Sequence, residues 1–170
     1  MVIEIQKHLY QHLYNLGADM SQFMEAEDKS GATRCPVCDA SLKEFWHPLT
    51  PLLARALVKA YKHVSSVREN RFGRGEIELT QDEYSNFTKL SFHGLIAKYK
   101  TDGKHERGYW LLTARGALFL KNEMRVPVRV KTFRNHVIEH DDNLVNIAEV
   151  MGSTPYLDTD PEFTLRDLSQ

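Results

Sequence analysis

Residues 50–124 contain helix and hairpin signals in an order that constrains the fold of this chain more than any other feature. Thr50 and Pro51 suit the N-cap and the first position of a helix, and an apolar stripe follows at helical spacing. Thr80 and Glu83 have the spacing of a capping box, which predicts the start of a second helix. We therefore expect the order helix, short strand, helix, helix, β-hairpin, helix.

The segment from 84 to 96 is expected to contain a turn followed by a recognition helix. Asn86 is a suitable cap for a helix from Phe87 to about His93. In that helix Phe87 and Leu90 would share an apolar face and, with Leu95, enter the core. A short strand is predicted upstream, where the residues from 76 to 79 alternate between polar and apolar.

Asp102-Gly103 favours a tight hairpin between strands at 95–100 and 107–112. Thr113 is a suitable N-cap for a further helix to about Met124. Three helices and a hairpin in this order are typical of a winged helix-turn-helix, in which the hairpin is the wing. The fold class is thus expected to be α+β.

Four segments are expected along the chain. They are an N-terminal helix and small Cys knuckle at 1–49, a winged-helix module at 50–125, a C-terminal hairpin and short helix at 126–152, and an acidic tail at 153–170. In the third segment Arg134-Asn135 is expected to form the hairpin turn, and the short helix is expected from Asn143 to Met151, with Leu144 inward and Gly152 at its end. Leu9 and Leu13 give the first helix an apolar face, which leaves a homodimer open.

Charge is unevenly distributed although the chain as a whole has a net charge of -1. Residues 1–50 have a net charge of -3, residues 51–135 of +9 and residues 136–170 of -7. A basic centre beside an acidic end is typical of an anion-binding module, and double-stranded DNA is the expected partner. Chance clustering of solvated charges is the alternative.

The candidate DNA contacts lie on three parts of the basic segment. The outward face of the recognition helix would read base edges, while the wing and the loop before the first strand would contact phosphates. These candidates are Asn86, Thr88, Lys89, Ser91 and His93 in the helix, Lys98, Lys100, Lys104 and Arg107 in the wing, and Arg68, Arg71 and Arg74 in the loop.

Cys35 and Cys38 form a CPxC turn, which is half of many structural zinc sites. His47 is the nearest further ligand candidate, and His8 and His12, four residues apart, share a helix face. A metal-free reduced cysteine pair is an equal alternative. Zinc is therefore an expected structural cofactor with an incomplete ligand set.

The sequence lacks the motifs of common enzymes, including the P-loop and the GxGxxG, GxSxG and HExxH patterns. His136 and His140 lie near acidic residues, but a polar turn explains them as well. We therefore expect a non-enzymatic protein. Because no apolar run could span a bilayer and no signal peptide is evident, we also expect a cytoplasmic location without membrane contact.

Residues about 34 to 152 resemble a poorly characterised family of small bacteriophage and mobile-element proteins that join a CPxC knuckle to a winged-helix module. The resemblance is carried by Cys35-Pro36-Val37-Cys38, by the segment from Asn86 to Ile96, by Gly108-Tyr109-Trp110-Leu111-Leu112-Thr113-Ala114-Arg115-Gly116, and by Val126-Pro127-Val128. It implies a mobile-element origin and a small regulator or adaptor, with no catalytic residues.

The expected function is that of a DNA-binding winged-helix regulator. The alternative is a protein-binding inhibitor or adaptor of host defence machinery, similar to anti-CRISPR proteins, whose partner would be a host protein complex. Fold alone does not separate these two functions.

Overall fold

The computed structural model describes residues 43–101 and 103–157, apart from the side chain of His105. Within these residues, four α-helices and three small sheets give the mixed α+β structure that the sequence predicts. The elements are β1 (Phe45–Pro48), α1 (Pro51–Val67), β2 (Phe72–Gly73), a 3₁₀ helix (Arg74–Glu76), α2 (Gln81–Asn86), a second 3₁₀ helix (Phe87–Ser91), β3 (Ile96–Thr101), β4 (Lys104–Leu112), α3 (Ala114–Leu120), β5 (Val126–Pro127), β6 (Arg129–Phe133), β7 (His136–His140), β8 (Leu144–Val145) and α4 (Ile147–Met151).

The chain divides into two compact units. One comprises Met1–Phe45 with Phe133–Asn135, and the other comprises Trp46–Thr132 with His136–Gln170. The predicted N-terminal helix, the CPxC turn and most of the predicted acidic tail lie outside the described residues. The hydrophobic core and the β3–β4 hairpin belong to the second unit.

Helix α1 begins as the sequence predicts. The Thr50 side chain accepts the N–H of Leu53 (3.4 Å), and Pro51 occupies the first turn, where a missing N–H costs nothing. The apolar stripe of α1 is buried along the helix, from Leu53 to Val64. Such burial contributes about 1.5–3 kcal/mol for each large side chain relative to exposure.

Phe87 lies at the centre of the core beside this stripe. Its ring contacts Phe72 and Trp110 edge-on, with ring centroids 6.1 Å and 6.3 Å away. Phe87, Leu90 and Leu95 are fully buried, which confirms the predicted core positions. Edge-on aromatic contacts of this kind stabilise a core beyond the area they bury.

Strand β4 is the central strand of an antiparallel sheet with the order β2-β4-β3. Ile96 pairs with Leu112 at the base of the hairpin, and Thr101 pairs with Lys104 near its tip. Asn70 extends the pairing beyond β2, because its side-chain amide donates to the carbonyl of Leu112 (2.9 Å) and accepts the N–H of Leu112 (2.8 Å).

The strand before α2 lies earlier in the chain than predicted. The alternation at 76–79 predicts a strand there, but the strand is Phe72–Gly73, and Arg74–Glu76 forms a 3₁₀ helix. The Glu76 carboxylate accepts the N–H of Gly73 (2.7 Å). This bond closes the 3₁₀ turn, which includes Glu76, the first residue of the predicted strand.

Helix α2 runs directly into the following 3₁₀ helix, so the turn predicted before the recognition helix is absent. The predicted capping box of Thr80 and Glu83 is present. Asn86 is the last residue of α2, and its side chain does not cap the next helix, in contrast to the prediction. The predicted recognition helix is a five-residue 3₁₀ helix, Phe87–Ser91, that ends before His93.

Residues on both sides of the predicted boundary at 125/126 share one core, because Val126 and Ile147 are buried together with the side chains of α1. Arg134 and Asn135 form the predicted turn between β6 and β7, and both have a positive φ, of 51° and 64°. Two consecutive positive φ angles are typical of a tight hairpin turn.

The last predicted helix, at 143–151, is shorter than expected. Helix α4 spans Ile147–Met151, is capped by Asn146, and ends at Gly152 with a φ of 79°, as the sequence predicts for this glycine. Leu144 is predicted to point inward but is 46% exposed, since it belongs to β8 instead.

Helix α3 approaches the start of β3 very closely at Gly116. The N–H of Thr113 donates to the carbonyl of Leu95 (3.2 Å), and the Thr113 hydroxyl accepts the N–H of Gly116 (3.0 Å). That hydroxyl also donates to the carbonyl of Gly94 (2.7 Å). A Cβ atom on Gly116 would lie 2.2 Å from the carbonyl oxygen of Leu95, so only glycine fits here.

Gly116→Ala should therefore lower the free energy of unfolding by about 3 kcal/mol, because the Leu95 backbone has to move. Gly75→Ala is the matched control, since no atom lies within 4 Å of a Cβ placed on Gly75. It should change stability by less than about 0.5 kcal/mol. Urea denaturation measures both values, and equal stability of the two variants would contradict the close approach.

A buried carboxylate joins α2 to α1. Glu83 is 2% exposed, and the ammonium group of Lys59 donates to it at 2.6 Å. Burial opposes ionisation of Glu83, but the hydrogen bonds from Lys59 and Thr80 outweigh this effect. The pKa of Glu83 consequently lies below its usual value.

Glu83→Gln should lower the free energy of unfolding by about 2 kcal/mol at neutral pH, since it removes a charged hydrogen bond. The pKa of Glu83 is lower in the folded chain than in the unfolded chain, where it is about 4.3. The carboxylate therefore stabilises the fold above that pH, and its contribution disappears as the pH falls through the lowered pKa. Urea denaturation of both proteins between about pH 7 and pH 3 should show a difference that shrinks with acidity, and a constant difference would contradict this role.

Candidate nucleic-acid interface

The β3–β4 hairpin presents four exposed cationic side chains, here called the hairpin cations: Lys98, Lys100, Lys104 and Arg107. All four are among the predicted wing contacts. An irregularity in the pairing lies between Lys98 and Lys100, and Gly108 has a φ of 90° on the opposite strand. The hairpin is therefore locally bent, and its positive charges remain in solvent.

No ion pair to any hairpin cation occurs in the described part of the chain. Many other cations of the basic segment have acidic partners. These pairs are Lys59–Glu83 (2.6 Å), Arg71–Glu106 (3.2 Å), Arg125–Glu149 (2.9 Å), Arg129–Asp141 (2.5 Å) and Lys131–Glu139 (2.6 Å). The hairpin thus keeps a positive charge that these pairs remove elsewhere.

Arg71, a predicted phosphate contact, instead supports the hairpin from its base. Its guanidinium lies over the ring of Tyr109 (3.7 Å to the centroid) and near that of Tyr99 (5.5 Å). It also donates to the Glu106 carboxylate through two nitrogens, at 3.2 and 3.3 Å. A planar guanidinium that stacks and donates at once fixes the relative position of these strands.

The other two predicted loop contacts have separate positions. Arg74 lies over the Tyr84 ring (4.3 Å) and donates to the Tyr84 carbonyl (3.1 Å), so it contacts α2. Arg68 is exposed at the end of α1, with a φ of 55° and its backbone N–H bonded to the carbonyl of Val64. Arg74 is therefore associated with α2, whereas Arg71 is associated with the hairpin.

The polar residues of the predicted recognition helix bond to their own neighbours. The ammonium group of Lys89 donates to the Asn86 side chain (2.7 Å), and the Asn86 amide donates to the carbonyl of Asp82 (2.9 Å). The Ser91 hydroxyl donates to the carbonyl of Thr88 (2.7 Å). The side chains of Asn86, Lys89 and Ser91 are thus engaged, and none of these three residues is exposed.

His93 is predicted on the outward face, but the structure buries it at 3% exposure. Three-residue turns continue past Ser91, where the N–H of Gly94 donates to the carbonyl of Ser91 (3.1 Å), so position 93 follows the buried direction of Phe87 and Leu90. Neither ring nitrogen has a hydrogen-bond partner in the described part of the chain. Burial lowers the pKa of His93 to about 4, so the ring is neutral near pH 7 and is not available to a phosphate.

His47 lies in β1, where its ring packs against Phe92 (4.8 Å between centroids) and its Nε2 is 2.8 Å from the Thr132 hydroxyl. Burial and the nearby charge of Lys89 lower its pKa. Cys35 and Cys38 lie outside the described residues, so the predicted zinc ligand set stays a prediction. Among residues 43–101 and 103–157, no three His, Cys, Asp or Glu side chains are grouped as a metal site would require.

Sequence reasoning missed the residues that support the hairpin: Tyr99, Tyr109, Glu106 and Asn70. Tyrosines in a strand next to lysines are a weak signal for a stacked arginine. The arginine concerned is 28 residues from one ring and 38 from the other. The side-chain pairing of Asn70 with Leu112, across 42 positions, leaves no local pattern.

Comparison with known proteins gives no relative on which to base a function. No family model matches the sequence, and neither a curated protein nor a solved structure is significantly similar to it. The resemblance to phage and mobile-element proteins and the cytoplasmic location stay predictions. None of the described helices is both long enough and apolar enough to cross a bilayer.

Proposed function

We propose that residues 51–112 form a winged-helix module that binds double-stranded DNA, and that the chain is a non-catalytic regulator of the phage or mobile-element type. The element order supports this proposal: α1, β2, α2, a 3₁₀ helix and then the β3–β4 hairpin. The sheet order β2-β4-β3 supports it too, since the first short strand then pairs with the second strand of the wing.

The observation that carries the proposal is the charge of the hairpin. Lys98, Lys100, Lys104 and Arg107 are exposed within ten positions of the chain, and none has an ion-pair partner among the described residues. Adjacent like charges repel one another, and a phosphate backbone relieves that repulsion by supplying the opposite charge. Glu106, the acidic residue of the hairpin that the structure describes, is already held by Arg71.

In the proposed complex the hairpin cations contact phosphates and displace condensed counterions. Affinity is then expected to fall steeply with salt, with a logarithmic slope of about 0.9 for each phosphate neutralised. Arg71, stacked on Tyr109, holds the hairpin in position without contacting DNA. Such preorganisation reduces the ordering cost of binding.

Lys98→Gln/Lys100→Gln should weaken binding to a short duplex and reduce the salt slope by about 2, since two phosphate contacts are lost. Fluorescence anisotropy at several salt concentrations measures both quantities. Lys62→Gln/Lys121→Gln is the matched control, because it removes the same charge from α1 and from the end of α3. This control should leave the slope close to that of the unmodified chain.

Equal slopes for the two double variants would mean that the hairpin is not the contact surface. If no duplex binds even at low salt, the proposed DNA-binding function is wrong. The protein-binding role in host defence would then be the better hypothesis.

A further inference from the structure

We infer that the module recognises DNA through the phosphate backbone and does not read base sequence through the segment from 86 to 93. This inference rests on the proposed function and names the class of DNA that it accepts: duplexes irrespective of their sequence. It follows from the conformation, hydrogen bonding and burial of that segment, which differ from what a recognition helix needs.

The conformation of the segment from 86 to 93 does not suit insertion into the major groove. A recognition helix projects its N-terminal turns into the major groove, so those residues must lie exposed at the end of a helix. Here Phe87–Ser91 continues directly from α2 and forms fewer than two 3₁₀ turns. The segment consequently has no free N-terminal turn to insert into a groove.

The side chains of the segment that could read bases already have hydrogen-bond partners. Asn86 and Lys89 are the residues chemically suited to read adenine and guanine, but each is the partner of the other at 2.7 Å. The amide of Asn86 is also bonded to the carbonyl of Asp82. Turning the Asn86 side chain towards a base edge would break these bonds, which removes part of the gain from the new contact, and the Lys89 ammonium is held beside Asn86 by one of its three N–H groups.

One side of the segment is buried in the core. Phe87, Leu90 and His93 lie on one side of the segment and are enclosed by the core. Phe92 packs on the His47 ring, and none of the residues from 86 to 93 is exposed. The surface of the segment is therefore too small for the several base contacts that sequence readout uses.

The hairpin cations have the opposite properties, since they are exposed and unpaired in the described part of the chain. Three of the four are lysines, whose compact charge binds phosphates without the planar fork that arginine offers to guanine. Their contacts supply affinity that is the same for every sequence.

The test is a panel of duplexes of equal length that differ in sequence: A-tract, GC-rich and two unrelated mixed sequences. At one fixed salt concentration, the dissociation constants of the full chain should agree within about threefold. Asn86→Ala and Lys89→Ala should leave this pattern unchanged, while Lys98→Ala/Lys100→Ala should weaken all four duplexes by the same factor. Circular dichroism confirms that each variant is folded.

A preference of more than about tenfold for one duplex would overturn the inference, because backbone contacts alone do not discriminate so strongly. Loss of that preference in Lys89→Ala would assign base readout to the segment. Failure to bind any duplex contradicts the proposed function itself, so the two failures are distinguishable. Selection from a random duplex library should likewise yield no enriched motif, and an enriched motif would also overturn the inference.

Discussion

The position of the hairpin depends on the close contact between the Leu95 carbonyl and the start of α3. Thr113 bonds to this carbonyl through its N–H, and Gly116 lies where any side chain would strike the same oxygen. Ile96 and Leu112, the first pair of the hairpin, follow directly from this contact and are buried. The base of the hairpin is therefore rigid, whereas its charged end lies in solvent.

The net charge of this protein conceals two kinds of cationic side chain: those with an acidic partner, and those without one among the described residues. On strand β6, Arg129 and Lys131 are neutralised by Asp141 and Glu139, and Arg125 is neutralised by Glu149 of α4. The Arg125–Glu149 pair is exposed and contributes little to stability, but all three pairs cancel the local field. The hairpin cations have no such partner among the described residues, so this surface keeps its positive charge although the chain as a whole has a net charge of -1.

Features that rest on local backbone bonding could be predicted from the sequence. Thr50 caps α1, Thr80 and Glu83 form their capping box, and Gly152 ends α4. The exposed lysines of the hairpin could be predicted as well, because charged residues beside a hairpin turn have no route into a core. These signals work because the groups that bond lie within four residues of each other.

The remaining features depend on contacts between distant residues. Strand β2 was misplaced because Asn70 pairs with Leu112, which no local pattern encodes. His93 differs from the prediction because three-residue turns continue beyond the 3₁₀ helix, so that this residue falls on the buried side. Within the candidate interface, the hairpin cations were therefore predicted, but the engagement of Asn86 with Lys89 and the support from Arg71 required the structure.

The central claim is that the hairpin, and not the segment from 86 to 93, meets the duplex. Backbone amide chemical shifts of the ¹⁵N-labelled full chain, followed while a short duplex is added, test this claim residue by residue. The largest changes should fall between Lys98 and Arg107, with small changes from 86 to 93. Changes concentrated in that segment, or no changes in the hairpin, would contradict the account.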